Sequence, residues 1–177
     1  MPNHCCNKLI LPDEESLQII IKNYIKENEN GNNYFDFESI IPIGEIHDWY
    51  DQRIEKWGTK WNGYDLFICE DFIEFYTAWA PPIGIIERLA ELHKDFIFQL
   101  EYHEGGIGFR GVAIAKWQDG EVLLDDQCWD MTDEDLIELG LIDESQEEQK
   151  QIAKLRIPNL FYWLKQKLLK LLKGNKI

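Results

Sequence analysis

Three things are scarce in this chain, and each scarcity closes off a class of reading. Serine occurs only three times in 177 residues, at Ser16, Ser39 and Ser145, and none stands at readable spacing from a histidine and an acid. A Ser-His-Asp hydrolase is therefore not supported. Cysteine is limited to Cys5, Cys6, Cys69 and Cys128, with no C-x-x-C pair. Zinc sites announce themselves by paired ligand spacing, so no metal and no cofactor is expected. No apolar run approaches the about 18 residues that a membrane-spanning helix needs. The first residues, Met1-Pro2-Asn3-His4, show no basic region leading into an apolar stretch. These features predict a cytoplasmic protein with reduced thiols.

Basic residues are the fourth scarcity, and their placement matters more than their number. The chain holds 33 acids and 18 bases, a net charge of −15. Eight of the bases (Lys150, Lys154, Arg156, Lys165, Lys167, Lys170, Lys173 and Lys176) fall after residue 149, where there is no acid. The first 149 residues thus carry −23 and the last 28 carry +8. A body of that sign repels phosphates at long range, which argues against direct nucleic-acid binding. Aromatic content of 13% excludes intrinsic disorder, and the length suits one ordinary domain with appendages.

The apolar pattern gives an order of elements. Residues 3–11 read as a strand closed by Pro12, and 13–29 as a helix with Asp13 as N-cap. Residues 34–64 read as an ordered, Trp-rich insertion, with a short helix over 47–57 stopped by Gly58. Residues 65–69 and 72–79 form a hairpin, in which Ile73, Phe75, Thr77 and Trp79 share a face. A helix over 82–93 follows Pro81-Pro82. Residues 96–103 alternate, Gly105-Gly106 turns the chain, 108–117 forms a partner strand, and 121–124 a short edge piece. Without the insertion this is βαββαβ, the split-βαβ arrangement of a ferredoxin-like sandwich, of class α+β. The domain reading is 1–124 for this sandwich and 125–177 for an appendage. Within the latter, 119–148 hold 13 acids and no base, and Thr132 caps a helix through 133–140. Residues 158–173 read as an amphipathic helix, with Leu160, Leu164, Leu168 and Leu171 opposite the lysines.

Four strings carry a family resemblance: MPNHCCNKL at the start, WGTKWN at 57–62, TAWAPP at 77–82 and EYHEGGIGFRG at 101–111. In this order they resemble the YubB-type, or Api-like, ferredoxin-like family of phages and plasmids, over residues 1–117. The family has an aromatic residue where this chain has His4, and usually Ser where it has Ala80. The resemblance implies the fold and a mobile-element setting; it implies no reaction.

Candidate binding residues are Trp57, Lys60, Trp61, Asn62, Trp79 and Glu104. Two tryptophans flanking Gly, Thr and Lys could form a recognition surface of indole faces, one cation and one amide. The competing reading is that the tryptophans seal the insertion onto the sheet. His103 beside Glu101 and Glu104 could serve as a general base, but a solvated strand end explains them more simply. The aspartates at 125, 126, 130 and 133 lack the EF-hand pattern, and Gly105–Gly108 lacks the Lys and helix of a P-loop. The leading expectation is a non-catalytic interaction protein. It binds a protein partner through the Trp-rich insertion and the acidic surface, and a homodimer is one form of that partner. One alternative is a small-ligand or enzyme site around Lys60, Trp61, Asn62 and Glu104, with His103. The other is an acidic DNA mimic. For the basic helix, packing on its own domain is weighed above contact with anionic membrane.

Overall fold

A computed structural model describes residues 3–44 and 47–141. Its centre is β1 (His4–Ile10), which alternates strictly: Cys5, Asn7 and Leu9 are buried, and the residues between them are not. The one polar member of that row, Asn7, is satisfied, because its amide donates to Thr77 Oγ1 (2.9 Å) and to the Cys5 carbonyl (2.9 Å).

Asp13 caps α1 (Glu14–Tyr24) by accepting from Ser16 N–H at 2.8 Å, and Ser16 returns a hydrogen bond to the cap. This helix ends earlier than the 13–29 that the periodicity predicts. Ile25 is extended (φ −92°, ψ 125°) and starts β2 (Ile25–Glu27), which pairs with β3 (Asn33–Phe35). No glycine ends the helix; the β-branched Ile25 instead joins a ladder with Phe35. The segment between α1 and the next long strand therefore opens with a hairpin. A 3₁₀ turn at Phe37–Ser39 and α2 (Trp49–Trp57) follow, and Gly58 closes α2 in the left-handed region at φ 85°.

Then come β4 (Tyr64–Ile68), β5 (Phe72–Ala78), α3 (Ile83–Leu92), β6 (Ile97–Glu104), β7 (Phe109–Gln118) and β8 (Glu121–Asp130). The sheet order is β4-β5-β1-β6-β7-β8. β1 is antiparallel to both β5 and β6, with Leu9 opposite Ile73 on one side and Leu100 on the other. Strands β1, β4, β5 and β6 with helices α1 and α3 thus give the βαββαβ arrangement, and β7 and β8 extend it. The edge piece expected at 121–124 is in truth a ten-residue strand, because the two-residue turn Asp119-Gly120 folds β8 back along all of β7. Its positive φ values, 55° and 97°, are those of a type I′ turn.

One apolar core joins the buried face of the sheet to both helices: Leu9, Ile73, Phe75, Phe98 and Leu100 meet Leu17, Ile20, Ile86 and Leu89. Burial of each such side chain stabilises the fold by about 1.5–3 kcal/mol. Phe35, Phe37 and Trp57 belong to the same core, so the segment between α1 and β4 is tied to the sheet by aromatic packing. His93, just past the end of α3, is half-buried; it bonds Tyr24 Oη at 2.8 Å and stacks on Phe96.

By internal contacts the chain forms two compact units, residues 1–129 and 130–177. Of the second, the described part includes α4 (Asp133–Glu138), capped reciprocally by Thr132 and Asp135 and shorter than the 133–140 expected. The amphipathic helix expected at 158–173 lies outside the described residues. No described helix is long and apolar enough to cross a membrane.

Candidate functional site

The six candidate residues separate into three that shape the fold and three that form a surface. Trp57 is fully buried, packs edge-on to Phe37, and donates from Nε1 to the Ile41 carbonyl at 2.9 Å. Asn62 turns its Oδ1 to the Phe37 N–H at 3.0 Å and so fixes the start of the 3₁₀ turn. Glu104 is buried at the end of β6 and accepts from the N–H groups of Gly106 and Ile107. It holds its own hairpin turn together. His103 cannot assist it, since neighbouring residues of a strand point to opposite faces. Burial, followed by the Arg110 charge, moreover lowers the pKa of His103. Asn62 and Glu104 thus each spend side-chain oxygens on backbone N–H groups.

Lys60, Trp61 and Trp79 do come together. The Lys60 ammonium lies 4.8 Å from the Trp61 ring centroid, 5.7 Å from Trp79 and 5.4 Å from Tyr50. All three rings keep more than a third of their surface in solvent: Trp61 36%, Trp79 38% and Tyr50 40%. Trp49 and Ile54 on α2 are exposed to a similar degree, so the apolar patch continues along the helix. Arg53, in the same helix, sits between the rings of Trp49 (5.1 Å) and Trp57 (4.5 Å).

Trp79 reaches this cluster by an unusual backbone conformation. Its φ is +67°, a region that a bulky side chain rarely adopts, and this displaces it from the face it would share with Ile73, Phe75 and Thr77. The surroundings over-determine that conformation. Trp79 N–H donates to the Asn3 carbonyl (3.0 Å) and Ala80 N–H to the Ala78 carbonyl (2.9 Å). The buried Thr59 hydroxyl donates to the Ala78 carbonyl (3.0 Å), and the Thr77 hydroxyl to the Ala80 carbonyl (2.7 Å). The WGTKWN and TAWAPP strings therefore interlock: one supplies Thr59, Lys60 and Trp61, the other the loop that presents Trp79.

Sequence reasoning missed Tyr50 and Arg53. Both were readable as members of a helix whose aromatic face is too large for its length to bury. A separate polar cleft of about 470 Å³ is lined by Lys26, Asp36, Glu38, Arg53 and Asn62. Its charges are largely paired within it: Lys26 and Ser39 bond Asp36, and Arg53 faces Glu38 at 3.6 Å. Among the described residues, no three His, Cys, Asp or Glu side chains are grouped to hold a metal ion.

Residues 56–155, more than half of the chain, match the family described as the ferredoxin-like domain in Api92-like protein. No curated protein and no solved structure gives a significant match. The matched span takes in β4 through α4 and the Lys60–Trp61–Trp79 cluster, while β1 and α1 precede it. The chain belongs to the Api92-like family, whose ferredoxin-like domain it carries.

Proposed function

We propose that this protein is a non-catalytic interaction protein of a mobile genetic element, acting in the bacterial cytoplasm on a protein partner. The observation that carries the reading is the Lys60 cluster: three exposed rings gathered around one ammonium, one of them held out by a strained backbone. Backbone strain persists where the surrounding structure enforces it, and such places concentrate at binding and active sites. Trp, Tyr and charged residues at the centre of a patch are the usual anchors of protein interfaces. Glu104 bonds the backbone of its own turn, and Asn62 that of the 3₁₀ turn at Phe37. The phage or plasmid setting is supported by the four sequence strings and is of the YubB type. The acidic stretch is a second contact surface of the same protein.

The test is affinity capture from the native host with the full chain, repeated with Trp61→Ala and Trp79→Gly. A protein partner should be retained by the wild type and bind about 30-fold more weakly to either variant, as hot-spot truncations of about 2 kcal/mol imply. Glu104→Gln, conservative in shape and outside the ring cluster around Lys60, should still retain it. Retention of a metabolite with no protein would refute the reading.

A further inference from the structure

The outer edge of the sheet carries a second inference. β8 is ten residues long, and no described strand lies beyond it. The opposite edge is blunted: β4 has five residues, is kinked by a register shift after Tyr64, and has β3 beside it. β8, of sequence EVLLDDQCWD, has no proline and no lysine, the common devices that protect an open edge. It also leaves Leu123, Leu124 and Trp129 exposed.

The turn fixes which backbone groups face outward. With Asp119-Gly120 as a two-residue loop, Gln118 and Glu121 form the first hydrogen-bonded pair. Residues 121, 123 and 125 then bond β7, while the amides of Val122, Leu124 and Asp126 point away from it. The Asp126 side chain agrees with this register, since it accepts from Tyr102 Oη at 2.7 Å on the buried face of the sheet.

Charge decides what can pair there. Glu121, Asp125, Asp126 and Asp130 lie on β8, and residues 119–141 hold no basic residue. In the antiparallel registers that this outward row allows, two copies of β8 paired about their middle would set Asp125 against Asp125 or Asp126 against Asp126. Like charges directly opposite are destabilising, so the edge rejects a second copy of itself. The same carboxylates favour a strand of opposite sign. We propose that β8 accepts an extended segment of a protein partner, with basic and apolar residues in alternation, as a seventh strand of the sheet. Main-chain hydrogen bonds supply the affinity, and the carboxylates and exposed leucines choose the sequence. The inference rests on the reading of an interaction protein, but it does not use the Lys60 cluster.

The probe is an acetylated, amidated eight-residue peptide of alternating Lys and Val, titrated into the full chain and followed by amide hydrogen exchange. Exchange at Val122, Leu124 and Asp126 should slow by about tenfold or more, while Leu123 and Asp125, already bonded to β7, should change little. A peptide of the same charge with N-methyl groups on every second residue should lose this protection. Glu121→Lys with Asp125→Lys should reverse the preference toward a Glu-Val peptide. No binding at millimolar peptide, equal binding of the N-methylated form, or protection confined to other elements would overturn the proposal. Trp61→Ala should bind the peptide as the wild type does. If binding is lost in that variant, the peptide occupies the Lys60 cluster and the β8 proposal fails while the cluster reading stands.

Discussion

Trp79 shows how one residue can set stability against function. A left-handed conformation costs an L-residue about 1–2 kcal/mol, and glycine bears almost none of that. Trp79→Gly and Trp79→Ala both remove the indole, but only glycine removes the strain. In chemical denaturation the glycine variant should be the more stable of the two by about 1 kcal/mol, and both should lose the partner. Equal stability of the two would mean that the four hydrogen bonds of the 77–80 turn, not the conformational preference of residue 79, set its energy. Asp36 is the second residue with a measurable signature. Burial alone would raise its pKa, but the hydrogen bonds from Lys26 and Ser39 more than offset this and hold it below the ordinary 3.8. A carboxylate depressed in this way contributes stability above the unfolded-chain value and loses it as pH falls through the native one. Asp36→Asn should therefore lower the urea midpoint at neutral pH, and the gap from wild type should narrow as pH falls below about 4. A gap that stays constant down to pH 2 would show that the carboxylate's charge is not what stabilises the β2–β3 hairpin.

At the scale of elements, the contact of α2 with α3 is the tightest constraint. A Cβ added at Gly84 would stand 2.0 Å from the Lys56 carbonyl oxygen, so backbone approaches backbone there. Gly84→Ala gains helix propensity, yet it must push α2 off α3. It should destabilise the protein by about 1–3 kcal/mol in equilibrium unfolding, the range of overpacked sites. A neutral outcome would show that α2 shifts at no cost. This contact also explains what was legible. Gly58 as a helix stop, Asp13 as a cap and the alternation of β1, β5 and β6 all follow from local chemistry, and the sequence carries them openly. The end of α1 does not, because Ile25 fits a helix face as well as a strand, and only its partner Phe35 decides. The length of β8 was hidden in the same way: its acids read as loop, and β7 holds them in a ladder. For the candidate site, composition pointed to the two strings that bring Lys60, Trp61 and Trp79 together. It could not tell the buried Trp57 from the exposed Trp61, since that depends on which side of Gly58 the chain turns back to the sheet.

At the scale of the molecule, the family match and the sheet order pose one question. The matched span begins at residue 56, inside α2, yet the strand at the middle of the sheet is β1, far earlier in the chain. β1 joins β5 to β6 and places Cys5 and Leu9 in the core, while α1 adds Leu17 and Ile20. A fragment starting at residue 56 would leave β4-β5 and β6-β7-β8 as two separate pieces of sheet, with facing edges unpaired and Ile73, Phe98 and Leu100 uncovered. Two-stranded ribbons are marginal in water, and the exposed edges invite association. The fragment 56–155 should thus show no cooperative thermal transition and should aggregate, whereas the full chain melts in one step for this unit. Adding residues 3–55 in trans should restore the transition, because β1 brings backbone bonds to both pieces at once. A fragment that folds alone would require β5 to pair with β6 directly. Hydrogen exchange at Phe75 and Leu100 would reveal that rearrangement, and the central place given to β1 would then be wrong.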